Sequence, residues 1–183
     1  MINAIITDFD GTLVNTFEAN LCAYQKAFQE VGLCLSSEDY TKCFGFRFDR
    51  FMDAVNVQGA EIRAQIKRLK QMFYPDYFDK LVLNKALLSL IDDLRKKGCH
   101  AAIASTAQKA NLINVVHYLG IGHCFDLIFC GMDVKEGKPS PEIYLKAMEA
   151  LRVSPEETLI FEDSEVGIEA ARKSGAKYLR IIM

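Results

Sequence analysis

Two carboxylates one residue apart, Asp8 and Asp10, end the apolar run Ile5-Ile6-Thr7, and Gly11-Thr12 follows at once. Side chains alternate along a strand, so both acids project the same way if the strand continues, and Gly11 lets the chain turn there. Neighbouring acids raise each other's pKa unless a cation or a division of roles separates them. Asp8 is a candidate nucleophile, because a carboxylate that attacks phosphorus forms an acyl phosphate and splits a hydrolysis into two displacements. Asp10 can then protonate the leaving oxygen and later take a proton from water. Glu162 and Asp163 add the hard oxygens that Mg²⁺ prefers, and Lys138 adds a positive charge for phosphoryl oxygens. Ser105 offers a hydroxyl and Thr106 an amide to the same group. Taken singly, each has a plainer reading: solvated acids at a strand end, Ser105-Thr106 or Asp163-Ser164 as helix caps, Lys138 as a loop lysine.

What favours the chemistry is the set of elements that must carry these residues. Lys85–Lys97 has Leu87, Leu88, Ile91 and Leu94 on one helical face and stops before Gly98. The short apolar runs Ala101–Ala104, Phe125–Phe129, Thr158–Phe161 and Lys177–Ile182 read as strands. Asn111–Leu119, Glu142–Arg152 and Val166–Ser174 read as the helices between them. Unalternated strands joined by helices predict a parallel sheet covered on both faces, an α/β architecture. Right-handed crossovers then bring the strand C-termini to one edge, which collects Asp8, Asp10, Ser105, Thr106, Glu162 and Asp163. Between the first strand and Leu81–Leu83 the pattern changes. Glu18–Val31, Ser37–Cys43, Phe48–Val55 and Glu61–Tyr74 are all helix-like, which predicts an all-helical insertion over 15–80 and a core from 1–14 and 81–183.

The bulk composition narrows the class. The chain has 183 residues, half of them apolar, and a net charge of −2, enough for a core and no electrostatic case for nucleic acid or a membrane surface. No window suits a membrane span and no secretion signal opens the chain. Six cysteines without a Cys-x-x-Cys pair read as reduced thiols in apolar positions, which places the chain in the cytoplasm. The basic stretch Arg63, Lys67, Arg68, Lys70 reads as an exposed helix face.

Four segments, in order and spanning most of the chain, resemble the motifs of the haloacid dehalogenase superfamily. They are Asp8-Phe9-Asp10-Gly11-Thr12-Leu13, Ser105 after Ala101–Ala104, Gly137-Lys138-Pro139-Ser140-Pro141-Glu142-Ile143-Tyr144, and Phe161-Glu162-Asp163-Ser164 running on to Ala171. The resemblance implies a Rossmann-like core with an inserted helical cap, as in the phosphoglycolate phosphatase and β-phosphoglucomutase-like branch. It implies Asp8 as nucleophile and Mg²⁺ ligand, and Asp10 as acid/base residue that also binds the metal through its carbonyl. Asp163 would be a further metal ligand and Glu162 another, direct or through water, with Ser105 and Lys138 holding the phosphoryl group. The segment Phe44-Gly45-Phe46-Arg47 sits where cap loops of this branch reach the substrate, so Arg47 or Arg50 would contact an anionic leaving group, the plainer reading being an aromatic packing corner with solvated arginines. A carboxylate at Asp10 argues for phosphoryl transfer from oxygen, and Thr12 and Asn20, where mutases of the branch usually carry Val and His, favour a phosphatase over a sugar-phosphate mutase. The expectation is a Mg²⁺-dependent phosphatase of a small phosphorylated metabolite, a monomer or weak dimer. The alternatives are a mutase and a non-catalytic phospholigand-binding protein of the same fold. Relatives of this branch usually continue past the last strand, so an uncovered sheet edge is expected near Lys177–Ile182.

Overall fold

The structure, a computed structural model, describes residues 1–183. In chain order, β1 (Ala4–Thr7) and β2 (Val14–Asn15) precede α1 (Phe17–Glu30), α2 (Ser37–Cys43), α3 (Phe48–Ala54) and α4 (Ala60–Phe73). After a 3-10 segment at Tyr74–Lys80 come β3 (Val82–Leu83), α5 (Lys85–Arg95), β4 (His100–Ala104), α6 (Lys109–Tyr118) and β5 (Leu127–Phe129). The chain closes with α7 (Glu142–Leu151), β6 (Thr158–Glu162), α8 (Glu165–Lys173) and β7 (Lys177–Arg180). Two compact units result, Met1–Asn15 with Val82–Met183, and Thr16–Leu81.

The first unit holds a five-stranded sheet in the order β5-β4-β1-β6-β7, every neighbouring pair parallel. This is the α/β, Rossmann-like core expected of short apolar strands joined by helices. Ala4, Ile6, Ala102, Ala104 and Ile160 face α7 and α8, packing on Ile143, Tyr144, Ala147, Met148, Ala170 and Ala171. The alternate residues Ile5, Ala101 and Ile103 are equally buried, so both faces of the central strands are covered. The small alanines let the helices approach the sheet closely, and the large side chains fill what remains. A two-stranded antiparallel ribbon, β2 on β3, pairs Val14 with Leu83 and Asn15 with Val82, and it brackets the point where the helical unit enters and leaves. Asn84 then caps α5, accepting from the Leu87 amide at 3.0 Å, while its own side-chain nitrogen donates to the Thr12 carbonyl at 3.2 Å.

Two predicted strands are shorter than their apolar runs. β5 starts at Leu127 because Asp126 turns its carboxylate back onto the Ala101 amide (2.8 Å) and the Arg95 guanidinium (2.7 Å). β7 ends at Arg180, although the Ile181 amide still donates to the Glu162 carbonyl at 2.7 Å. β7 lies at the sheet edge, and all four of its residues are exposed.

The helical unit is held by an apolar and aromatic cluster that includes Leu21, Phe28, Tyr40, Phe51, Met52 and Ile66. Tyr24 and Phe51 meet edge-on with ring centroids 4.9 Å apart. Ser36 caps α2, accepting from the Asp39 amide at 3.0 Å. The basic stretch of α4 is not one exposed face. Arg63 turns onto Asp53 at 2.5 Å and onto the Val57 carbonyl at 2.9 Å. Lys70 is buried, with its ammonium 3.5 Å from the Tyr74 ring centroid, where the ring's negative face stabilises it. No helix is long and apolar enough to cross a membrane. All six cysteines are free; Cys43, Cys124 and Cys130 are buried and Cys34 is exposed.

Candidate active site

The parallel ladders deliver the polar residues one step beyond the strands. Asp8 follows β1, and its amide donates to the Phe161 carbonyl at 2.9 Å, so the β1–β6 ladder extends to it. Ser105 follows β4 in the same way, its amide donating to the Phe129 carbonyl at 3.0 Å. Glu162 is the last residue of β6. Since β1 lies between β4 and β6 with Thr7 in register with Ile103 and Phe161, Asp8 falls level with Ala104, one residue before Ser105, on one side and with Glu162 on the other.

Lys138 joins them from the loop before α7. Its ammonium donates to Asp8 Oδ1 at 2.5 Å and also to Glu162 Oε1, with the lysine side chain only 3% exposed. Carboxylate oxygens of Asp8, Glu162 and Asp163 lie within 4.8 Å of one another. Asp163 is held by Thr12, whose hydroxyl donates to Oδ1 at 2.7 Å. Asp10 points elsewhere in the same neighbourhood: its Oδ2 accepts from the Ser105 hydroxyl at 3.4 Å. Ser105 Oγ in turn accepts from the Ala107 amide at 3.0 Å, so it closes a local turn and does not cap α6, which starts after Gln108. Thr106 follows, half-buried. Ser164, not Asp163, caps α8, accepting from the Gly167 amide at 3.1 Å. Arg47 stands at the start of α3 in the helical unit, exposed, near an Arg50 guanidinium stacked on the Phe46 ring at 3.9 Å.

Two glycines are required by close approach. Gly11 has φ +92°, and a Cβ there would run into the Asp163 carboxylate. A Cβ on Gly167 would overlap the Glu162 carboxylate. Both glycines let the backbone come against an acid of the cluster.

Electrostatically three clustered carboxylates, Asp8, Glu162 and Asp163, lie around the Lys138 ammonium. Burial raises the Asp8 pKa well above its ordinary value, Lys138 opposes, and Glu162 and Asp10 add to the rise. Burial likewise raises Asp163, against the Thr12 hydrogen bond. Burial by itself disfavours the charge on Lys138, but Asp8, Tyr144 and Glu162 outweigh it and hold its pKa well above the usual lysine value. Buried carboxylates in excess over cations stabilise any divalent cation placed among them. No buried side-chain nitrogen or oxygen lacks a hydrogen-bond partner.

The loop carrying Lys138 is clasped to α7 by Glu142, a residue whose role the sequence pattern does not reveal. Its carboxylate accepts from the amides of Lys135 (3.1 Å) and Glu136 (2.8 Å) and pairs with Lys146 at 3.0 Å. The Glu136 and Lys135 amides, then Lys146, lower its pKa from 4.5 to about 2. A depressed folded-state pKa means the clasp contributes fully above the ordinary value and is lost only as pH falls towards about 2. Glu142→Gln should therefore loosen the loop at every pH above that window. We expect any reaction that relies on the placement of Lys138 to slow by about ten- to a hundredfold, the order that a small misplacement costs. Hydrogen exchange at the Lys135 and Glu136 amides should rise with it, and unchanged exchange would remove the clasp from the account.

Comparison with known proteins agrees with this geometry. The haloacid dehalogenase-like hydrolase family matches residues 5–181. The chain is 27% identical over 178 residues to a phosphorylated carbohydrates phosphatase of Thermotoga maritima, covering 95% of this chain and 82% of the relative. The crystal structure of CbbY from Rhodobacter sphaeroides in complex with phosphate superposes with a TM-score of 0.90 at 28% identity, covering 100% of this chain and 87% of that one. A β-phosphoglucomutase from Clostridium difficile superposes with a TM-score of 0.84 at 26% identity, covering 98% and 84%. A match across nearly the whole chain, on a sheet that gathers the four motifs at one edge, places this protein in the haloacid dehalogenase-like hydrolase family.

Proposed function

We propose that this protein is a Mg²⁺-dependent phosphatase that hydrolyses a small phosphorylated metabolite through an aspartyl-phosphate on Asp8. The observation that carries the reading is the contact of the Asp8 carboxylate with the Lys138 ammonium, beside the carboxylates of Glu162 and Asp163. A nucleophile and a phosphate-neutralising cation are thus fixed side by side before any substrate arrives.

In the first displacement an Asp8 oxygen forms a bond to phosphorus as the bond from phosphorus to the leaving oxygen breaks, and Asp10 gives that oxygen its proton. In the second, Asp10 takes a proton from water, the water oxygen bonds to phosphorus, and the acyl-phosphate bond breaks to regenerate Asp8 and release inorganic phosphate. Lys138 and the Ser105 hydroxyl hold the phosphoryl oxygens, with the Thr106 amide as a further donor. The donor set suits Mg²⁺: hard carboxylate oxygens within 4.8 Å of one another, two of them on buried residues and one on half-buried Asp163. Asp8 and Asp163 would hold the ion, with Glu162 beside them and Asp10 through its carbonyl. When bound, it would neutralise phosphoryl charge and keep Asp8 ionised despite its burial.

We assign substrate choice to the helical unit, where the exposed Arg47 or Arg50 would offer a cation to an anionic leaving group. The Thermotoga relative, named for phosphorylated carbohydrates, supports sugar phosphates as the first substrates to try. A cytoplasmic location suits six free thiols.

The test is release of inorganic phosphate from p-nitrophenyl phosphate and from a panel of sugar phosphates. We expect activity with Mg²⁺, none after chelation, and recovery when the ion returns. Conversion of glucose 1-phosphate to glucose 6-phosphate without phosphate release would make the protein a mutase instead.

A further inference from the structure

Glu162 is the most fully engaged carboxylate of the site. Its Oε1 accepts from Lys138 Nζ and from the Tyr144 hydroxyl at 2.8 Å. Its Oε2 accepts from the amides of Asp163 (3.0 Å) and Ser164 (3.1 Å) and from the Ser164 hydroxyl (3.1 Å). Five donors occupy the roughly four lone-pair directions that a carboxylate offers. The Oε2 donors come from backbone and a helix cap, so they anchor one end of the group rigidly. The Oε1 end depends on one long, flexible lysine and one phenol.

That phenol is unexpected where it stands. Tyr144 is fully buried, and its ring packs in the alanine-rich core beneath β1 and β4. A phenylalanine would fill the same volume without burying a hydroxyl, which costs free energy unless it is bonded. Here it is bonded to Glu162, and the ring also stands 5.0 Å from Lys138 Nζ, close enough for a cation–π attraction. One side chain therefore touches both partners of the buried ion pair.

Resting on the phosphatase reading, we propose that Tyr144 is a positioning residue: its hydroxyl keeps Glu162 Oε1 turned onto Lys138, and so keeps the ammonium at Asp8 where the phosphoryl group is received. Without the hydroxyl, Oε1 keeps only the lysine, and the carboxylate is free to rotate about its anchored end and draw the ammonium away from Asp8. The ring alone then serves packing.

The experiment is a double-mutant cycle on inorganic phosphate affinity, measured calorimetrically with Mg²⁺ for wild type, Tyr144→Phe, Lys138→Met and the double variant. Tyr144→Phe should bind phosphate about five- to tenfold more weakly, the scale of one buried hydrogen bond. In the Lys138→Met background the same change should cost less than about twofold, because the hydroxyl acts through the lysine. Ile143→Val, a core truncation on the same helix, should leave affinity within about twofold of wild type and so controls for packing. Wild-type affinity in Tyr144→Phe, or an equal loss in both backgrounds, would overturn the assignment. A wild type that neither binds phosphate nor releases it from substrates would sink the phosphatase reading itself, and that is seen before any variant is made.

Discussion

Asp8→Asn should lose turnover by about four orders of magnitude or more while remaining folded, because an amide cannot form the acyl phosphate. The structure adds a less obvious expectation for stability. Burial raises the Asp8 pKa well above its ordinary value, with Glu162 and Asp10 adding to the rise. A group whose folded-state pKa is raised contributes stability at low pH and loses it as pH rises through the folded value. Ionising Asp8 therefore burdens the metal-free protein. Asparagine removes that burden, and Lys138 keeps Glu162 as its partner. The variant should melt no lower than wild type at about pH 8, by differential scanning calorimetry without metal. An inactive variant that also melts well below wild type would make the loss of activity a folding effect and weaken the case for Asp8.

Lys138→Met should have the opposite profile. It removes the ammonium against which the carboxylates of Asp8 and Glu162 are buried. Breaking a buried pair from one side costs about 3–5 kcal/mol, since the remaining charges stay desolvated without compensation. The cost should depend on pH in a definite direction. Burial already raises Asp8, and loss of Lys138 removes the attraction that opposed the rise. The deficit is then greater at high pH than at low pH, where the carboxyl group takes up a proton instead. Urea denaturation at high and at low pH measures it. A deficit independent of pH would mean that Lys138 stabilises the fold by packing alone.

Much of the fold can be read from the residues because the signals are local. Apolar runs of four or five residues between amphipathic helices dictate parallel strands, and the change of pattern between residues 15 and 80 marks the helical unit. The meeting of Asp8, Ser105, Glu162 and Asp163 at one edge follows from the handedness of the crossovers, which needs no side-chain detail. Side-chain commitments are a different matter. Which oxygen of Glu162 takes Lys138, that Thr12 holds Asp163, and that Glu142 clasps the Lys138 loop all depend on rotamers chosen by three-dimensional packing. Tyr144 reads in the sequence as one more apolar residue on a helical face, and nothing in its spacing discloses where the hydroxyl goes. The ribbon of β2 with β3 is hidden for another reason: each strand is two residues long, too short to leave a period. Lys70 is misread from pattern for the same reason as Tyr144, because a lysine among basic neighbours gives no sign of the tyrosine ring above it.

The covalent step is the centre of the account, and rapid acid quench of the working enzyme tests it most directly. With Mg²⁺ and substrate in excess, mass spectrometry of the digested protein should find one added phosphoryl group on the peptide containing Asp8, labile to base and absent without Mg²⁺. Steady phosphate release with no phosphorylated Asp8 peptide at any quench time, from a protein whose Asp8→Asn variant still turns over, would contradict it.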